Sequence, residues 1–92
     1  MREYRISFIG AGKVSGALCR QFHLSGWTIR KIISRTKKDG LAVASLFNAT
    51  WSAETIFDET DDVIIVAVPD DALAGVLAGI VCCDNTVVAH TA

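Results

Sequence analysis

The amino-acid sequence predicts an α/β fold, a doubly wound parallel sheet of about five strands in the order 3-2-1-4-5 with helices on both faces. Three observations point there. Strand-like and helix-like segments alternate along all 92 residues, three glycines crowd the first strand-to-helix junction, and the segment "DVIIVAVP" (62–69) is apolar throughout its strand, as a strand covered on both faces must be. Right-handed crossovers between parallel strands then leave few alternative topologies.

Each element has its own signal. "YRISFI" (4–9) is rich in β-branched and aromatic residues and runs into Gly10. Over 13–25 the spacing turns helical, with Val14, Leu18 and Phe22 on one stripe and Gly26 where a helix terminator belongs. "WTIRKIIS" (27–34) is a second strand and "DGLAVASLFN" (39–48) a second helix. A short third strand is expected at 49–52, followed by a turn or short helix, and then the central strand at 62–69. "DDALAGVLAGIV" (70–81) reads as a helix with Asp70 or Asp71 as its N-cap and Leu73, Val76, Leu77 and Ile80 as its apolar stripe. "NTVVAHTA" (85–92) is a final strand.

The composition, 51% hydrophobic and 21% charged with one proline, fits a packed domain and excludes disorder. So apolar a chain at this size also leads to the expectation that part of its surface is covered by another domain or a second copy. A last strand with no helix after it points the same way, to a longer polypeptide whose remainder covers that edge. No run of residues is long enough for a membrane span, and no signal-peptide pattern is present, so a cytoplasmic location is expected. Cys19, Cys82 and Cys83 have neither disulfide-framework nor zinc-site spacing. Charge is unevenly spread: all nine Lys and Arg lie within 1–38 beside one acid, Glu3, whereas 39–92 holds nine Asp and Glu and no Lys or Arg. A basic half suits an anionic ligand.

The junction "GAGKVSGAL" (10–18) locates that ligand. Gly10 permits a tight turn, Gly12 lets a pyrophosphate approach the backbone, and the helix opening at Lys13 offers free N–H groups and its positive end. The G-x-G-x-x-G fingerprint would have its third glycine where this chain has Ser15; a small side chain suits that helix-to-strand contact, and Gly16 can share the role. At the end of the second strand, an NAD site places an acid for the ribose 2′-hydroxyl. Here stand Ser34 and Arg35, with Lys37 and Lys38 beyond, a hydroxyl and a guanidinium suited to a 2′-phosphate and hence to NADP. The missing acid also argues against an S-adenosylmethionine site. Without an aromatic platform, the basic cluster does not suit nucleic acid.

In the order "FIGAGKVSGAL", "SRT", "VIIVAVPDDAL" and "VVAHTA", the chain resembles the N-terminal Rossmann-like domain of a family of provisionally assigned NADP oxidoreductases that carry an α-helical C-terminal domain of unassigned function. It is more distantly similar to pyrroline-5-carboxylate reductases, deazaflavin-dependent NADP reductases and β-hydroxyacid dehydrogenases. The resemblance implies that Gly10, Gly12, Lys13 and Val14 follow the pyrophosphate and that Ser34 and Arg35 meet the 2′-phosphate. It also implies that Ala67, Val68 and Pro69 line the adenosine and nicotinamide ribose, with His90 and Thr91 nearer the nicotinamide. The expected function is an NADP-binding domain of an oxidoreductase that moves hydride to or from a small carbonyl or imine substrate; the alternative is a regulatory module that senses NAD(P) without chemistry.

Overall fold

The computed structural model describes residues 4–58 and 61–91. It contains β1 (Arg5–Ile9), α1 (Lys13–Leu24), β2 (Thr28–Ile33), α2 (Lys37–Leu46), β3 (Thr50–Ser52), β4 (Val63–Val66), α3 (Asp70–Gly79) and β5 (Val87–His90). The end of the last expected strand, at Ala92, lies outside the described residues. The five strands form one parallel sheet in the order β3-β2-β1-β4-β5, as the alternation predicts.

The order reverses direction at β1, and right-handed crossovers therefore put α1 and α2 on one face and α3 on the other. Side-chain alternation along β1 divides the core accordingly. Ile6 and Phe8 join Cys19, Ile29, Ile32 and Ala44 under α1 and α2. Ile9 turns to the other face, with Ile33, Phe57, Ile64 and Val66, where Leu73, Val76 and Ile80 of α3 cover them. Each fully buried Ile or Phe contributes about 1.5–3 kcal/mol, so the two clusters dominate the stability. Of the expected α3 stripe, Leu77 remains 39% exposed, and no residue of α3 is buried.

Two features of the sheet were not legible beforehand. Ser7 of β1 lies opposite two residues of β2, because the register runs Ile6↔Ile29 and then Phe8↔Ile32. This bulge turns both Arg30 and Lys31 to the α3 face. There Arg30 Nη1 donates to buried Asp61 Oδ2 at 2.8 Å, the Ser7 hydroxyl donates to Asp61 Oδ1, and Lys31 Nζ donates to the Ile56 carbonyl at 3.2 Å. The segment after β3, expected as a turn or short helix, is instead extended in its described part. It pairs Ile56 with Val81 in an isolated parallel bridge, the Phe57 N–H donating to the Val81 carbonyl at 2.7 Å.

Helix starts differ from expectation. In α3, Pro69 occupies the N-cap position, and Asp70 and Asp71 fall in the first turn, where they act on the helix dipole and make no side-chain cap. In α2 the helix begins two residues earlier than its apolar spacing indicates, with Thr36 as N-cap. Thr36 and Asp39 stand at capping-box separation in the sequence, although Thr36 makes no side-chain cap bond here.

Candidate functional site

At the carboxyl end of β1, the chain is gripped from both sides. The Gly10 N–H donates to the Ile33 carbonyl at 2.7 Å, and the Ala67 N–H donates to the Ile9 carbonyl at 2.8 Å. Gly10 has φ +111°, and a Cβ there would collide with the Ala67 carbonyl, so no other residue fits. Gly12 is different: it caps α1 at φ −81°, and a Cβ added to it meets nothing within 4 Å. Its free side faces the cleft. The first helical bond of α1 runs from the Gly16 N–H to the Gly12 carbonyl at 3.0 Å, leaving the N–H groups of Lys13, Val14 and Ser15 ahead of the ladder. With no acid in this turn, the positive end of α1 is unopposed.

The helix-to-sheet contact that the fingerprint gives to its third glycine belongs wholly to Ser15. Ser15 is fully buried, while a Cβ on Gly16 would meet nothing within 4 Å. The expectation that Gly16 shares this role is corrected: one step further along the helix, its α-carbon points away from β1.

A second wall comes from the end of β2. The Ser34 N–H donates to the Ser52 carbonyl at 3.3 Å, continuing the β2–β3 ladder, and the chain then passes through Arg35 and Thr36 into α2. Lys37 and Lys38 are thus the opening of a helix and not a loop beyond the strand. Their charge adds to the positive helix end at the edge of the cleft. The Ser34 hydroxyl is engaged within the protein, accepting from Trp51 Nε1 at 2.8 Å and donating to the Thr36 carbonyl at 2.7 Å.

The third wall is apolar. Ala67, Val68 and Pro69 follow β4, Ala72 and Val76 face inward from α3 at helical spacing, and Ala53 and Thr55 close the side after β3. Together the walls enclose a cleft of about 380 Å³ at the carboxyl ends of β1, β2 and β4. Gly10, Gly12, Ser34, Arg35, Ala67, Val68 and Pro69 are all brought to it. Lys13 and Val14 do not line it and are exposed; their part is limited to the backbone at the start of α1. His90 is exposed at the end of β5, opposite Val66, and Thr91 follows it, its N–H donating to the Val66 carbonyl at 3.2 Å; both lie outside the cleft walls. Thr36, Asp39, Ala53, Thr55, Ala72 and Val76 line the cleft without having been singled out from the sequence.

A pyrophosphate suits the Gly12 side, where open space meets free helical N–H groups, and an adenine ring suits the apolar wall. A parallel sheet reversing direction beside a glycine turn, with its cleft at the strand ends, defines a Rossmann-like dinucleotide-binding domain. Residues 5–91 match the family described as NADP oxidoreductase, coenzyme F420-dependent, and the chain belongs to that family. It is a dinucleotide-binding domain of the NADP-oxidoreductase type.

Solved structures agree on the fold. A provisionally assigned NADP oxidoreductase from Bacteroides fragilis superposes with a TM-score of 0.85 at 26% identity, over 98% of this chain and 36% of that one. Synechocystis arogenate dehydrogenase gives 0.82 at 14% identity over 96% and 32%, and an imine reductase from a Pseudomonas species 0.71 at 17% over 97% and 32%. The chain thus spans about a third of each. Among curated proteins, none matches. No helix among the described residues is long and apolar enough to cross a membrane.

Proposed function

We propose that this chain binds NADP(H) in the cleft and serves an oxidoreductase that moves hydride between that cofactor and a small carbonyl or imine substrate. One observation carries the cofactor reading: the positive ends of α1 and α2 border the same cleft, with Arg35 between them. That spacing suits a ligand with two separated phosphate groups, the pyrophosphate at Gly12 and a 2′-phosphate at Arg35. Asp39, in the first turn of α2, offsets part of the positive potential without replacing the acid that a 2′-hydroxyl site carries at the strand end.

When bound, NADP(H) supplies the hydride-carrying carbon, and the protein's task is to bind and orient it. Gly12 and the α1 N–H groups hold the pyrophosphate, Arg35 holds the 2′-phosphate, and Val68, Pro69, Ala72 and Val76 exclude water from the adenosine. The substrate class draws support from the Pseudomonas imine reductase and from an Aspergillus terreus reductive aminase solved in complex with NADPH4, cyclohexanone and allyl amine. Exposed Val81, Val87 and Val88 support an edge covered by a further domain or a second copy.

Calorimetry with NADPH and NADH tests the reading. NADPH is expected to bind more tightly, and Arg35→Ala to weaken it about 10- to 100-fold, the worth of a charge-assisted hydrogen bond, with NADH little changed. Equal affinities in the parent would sink the 2′-phosphate assignment.

A further inference from the structure

We propose that Trp51 is a positioning residue for cofactor discrimination, acting through Ser34 on the loop that carries Arg35; this rests on the cofactor reading above. Trp51 sits on β3 opposite Ile32 of β2, so its ring reaches past the end of β2 toward α2. An indole N–H can only donate, and here it donates to Ser34 Oγ at 2.8 Å. Ser34 has a single hydroxyl proton, which goes to the Thr36 carbonyl at 2.7 Å. The same carbonyl accepts the Gly40 N–H at 3.1 Å, the first helical bond of α2. A continuous chain of hydrogen bonds therefore runs from the edge strand through Ser34 to the start of the helix, and Arg35 is held between its two anchor points.

Consequently Ser34 cannot donate to a 2′-phosphate without releasing Thr36. Its place in the arrangement is to shape the loop, and Arg35 is left as the side chain that meets the phosphate. The fit around the indole is close. Gly40 is buried in the interior of α2, and a Cβ there would strike both the Trp51 ring and Ser34 Oγ. Glycine inside a helix is unfavourable by about 1 kcal/mol relative to alanine, so the close approach of Trp51 explains its presence. On the ring face, Lys37 Nζ lies 5.6 Å from the centroid, which ties the first residue of α2 to the same indole.

Trp51→Phe keeps an aromatic face but removes the N–H donor together with the second ring of the indole, so the reading is taken from the NADPH-to-NADH ratio. Calorimetry on this chain is expected to show NADPH affinity falling about three- to tenfold, the net worth of one neutral hydrogen bond, with NADH affinity unchanged. In the cofactor-free protein the Gly40 amide should exchange with solvent faster than in the parent. Because Trp51 works through Ser34, the double variant with Ser34→Ala should bind NADPH no more weakly than Ser34→Ala alone, and that single variant carries the test if Trp51→Phe does not fold. Additive losses, or an unchanged NADPH-to-NADH ratio in Trp51→Phe beside a parent that discriminates, would overturn the positioning role alone. Equal affinities in the parent would overturn the cofactor reading and this role together.

Discussion

Gly10 and Gly12 stand two residues apart in one turn, yet alanine should affect them in opposite ways. At Gly10, φ of +111° is costly for any side chain, about 1–2 kcal/mol even in the more permissive left-handed region. The added methyl would also meet the Ala67 carbonyl, which cannot retreat because the Ala67 N–H is bonded to Ile9. Forcing an atom into packed surroundings costs about 1–3 kcal/mol more. A domain of this length has a total stability of roughly 5–14 kcal/mol. Gly10→Ala should therefore lower the melting temperature by about 12–24 °C if the loss is about 3 kcal/mol. At Gly12, φ is −81° and the methyl enters open space. The roughly 0.5–1 kcal/mol lost by placing alanine in place of glycine at an N-cap is offset by about 0.4–1 kcal/mol from a less flexible unfolded chain, so the melting temperature should move little. Instead the methyl occupies the room in which a pyrophosphate meets the helix N–H groups, and NADPH affinity should fall about 10- to 100-fold. Thermal melts followed by circular dichroism, paired with calorimetric titration, separate the two effects. If Gly12→Ala melts as early as Gly10→Ala, or binds NADPH as the parent does, the division of labour within the turn is wrong.

Further outcomes concern α1. Gly16→Ala should raise stability by about 0.5–1 kcal/mol, read as a melting temperature a few degrees higher, because helix propensity improves and the new methyl meets nothing; a loss would show that Gly16 does pack on the sheet. Burial pushes the Cys19 thiol from 9.0 up to about 12, with its neighbour Ser15 pulling slightly the other way. The unfolded chain thus releases this proton at a lower pH than the native state does. The stability linked to Cys19 is fully present below its unfolded pKa of 9.0 and is lost as pH rises toward about 12. Urea midpoints measured from about pH 8 to about pH 10.5 should fall more steeply for the parent than for Cys19→Ala, and parallel curves would refute the coupling.

Much of the fold was legible because hydrophobic period and glycine placement are local signals. Ile6, Phe8, Ile32, Ile64 and Val66 could be read as core from their strands alone, and all are buried. The cleft was half legible. Gly10, Gly12 and Arg35 lie at turns with recognisable residues, and the family resemblance implied Val68 and Pro69, but Ala53, Thr55, Ala72 and Val76 have no chemistry to mark them and line the cleft where the crossover after β3 runs alongside α3. The starts of α2 and α3 were misplaced for a related reason. The apolar spacing of α2 first shows at Leu41, so Lys37 and Lys38 fell outside the expected helix, while Pro69 takes the N-cap position that the following acids suggested for themselves.

By itself, then, the sequence determined the parallel sheet, its strand order, the glycine turn after the first strand and the basic character of the second strand's end, since each follows from residue types within a short window. Tertiary structure decided which partner each group has. It placed Trp51 against Ser34, seventeen residues away, where the indole N–H donates to the Ser34 hydroxyl. It gave Ser15 the packing role and left Gly16 idle, and it joined Asp61 to Ser7 and Arg30 across three segments. A hydroxyl or a glycine carries no record of what will lie beside it, because that depends on crossover handedness and strand register, which are set by the packing of the whole sheet.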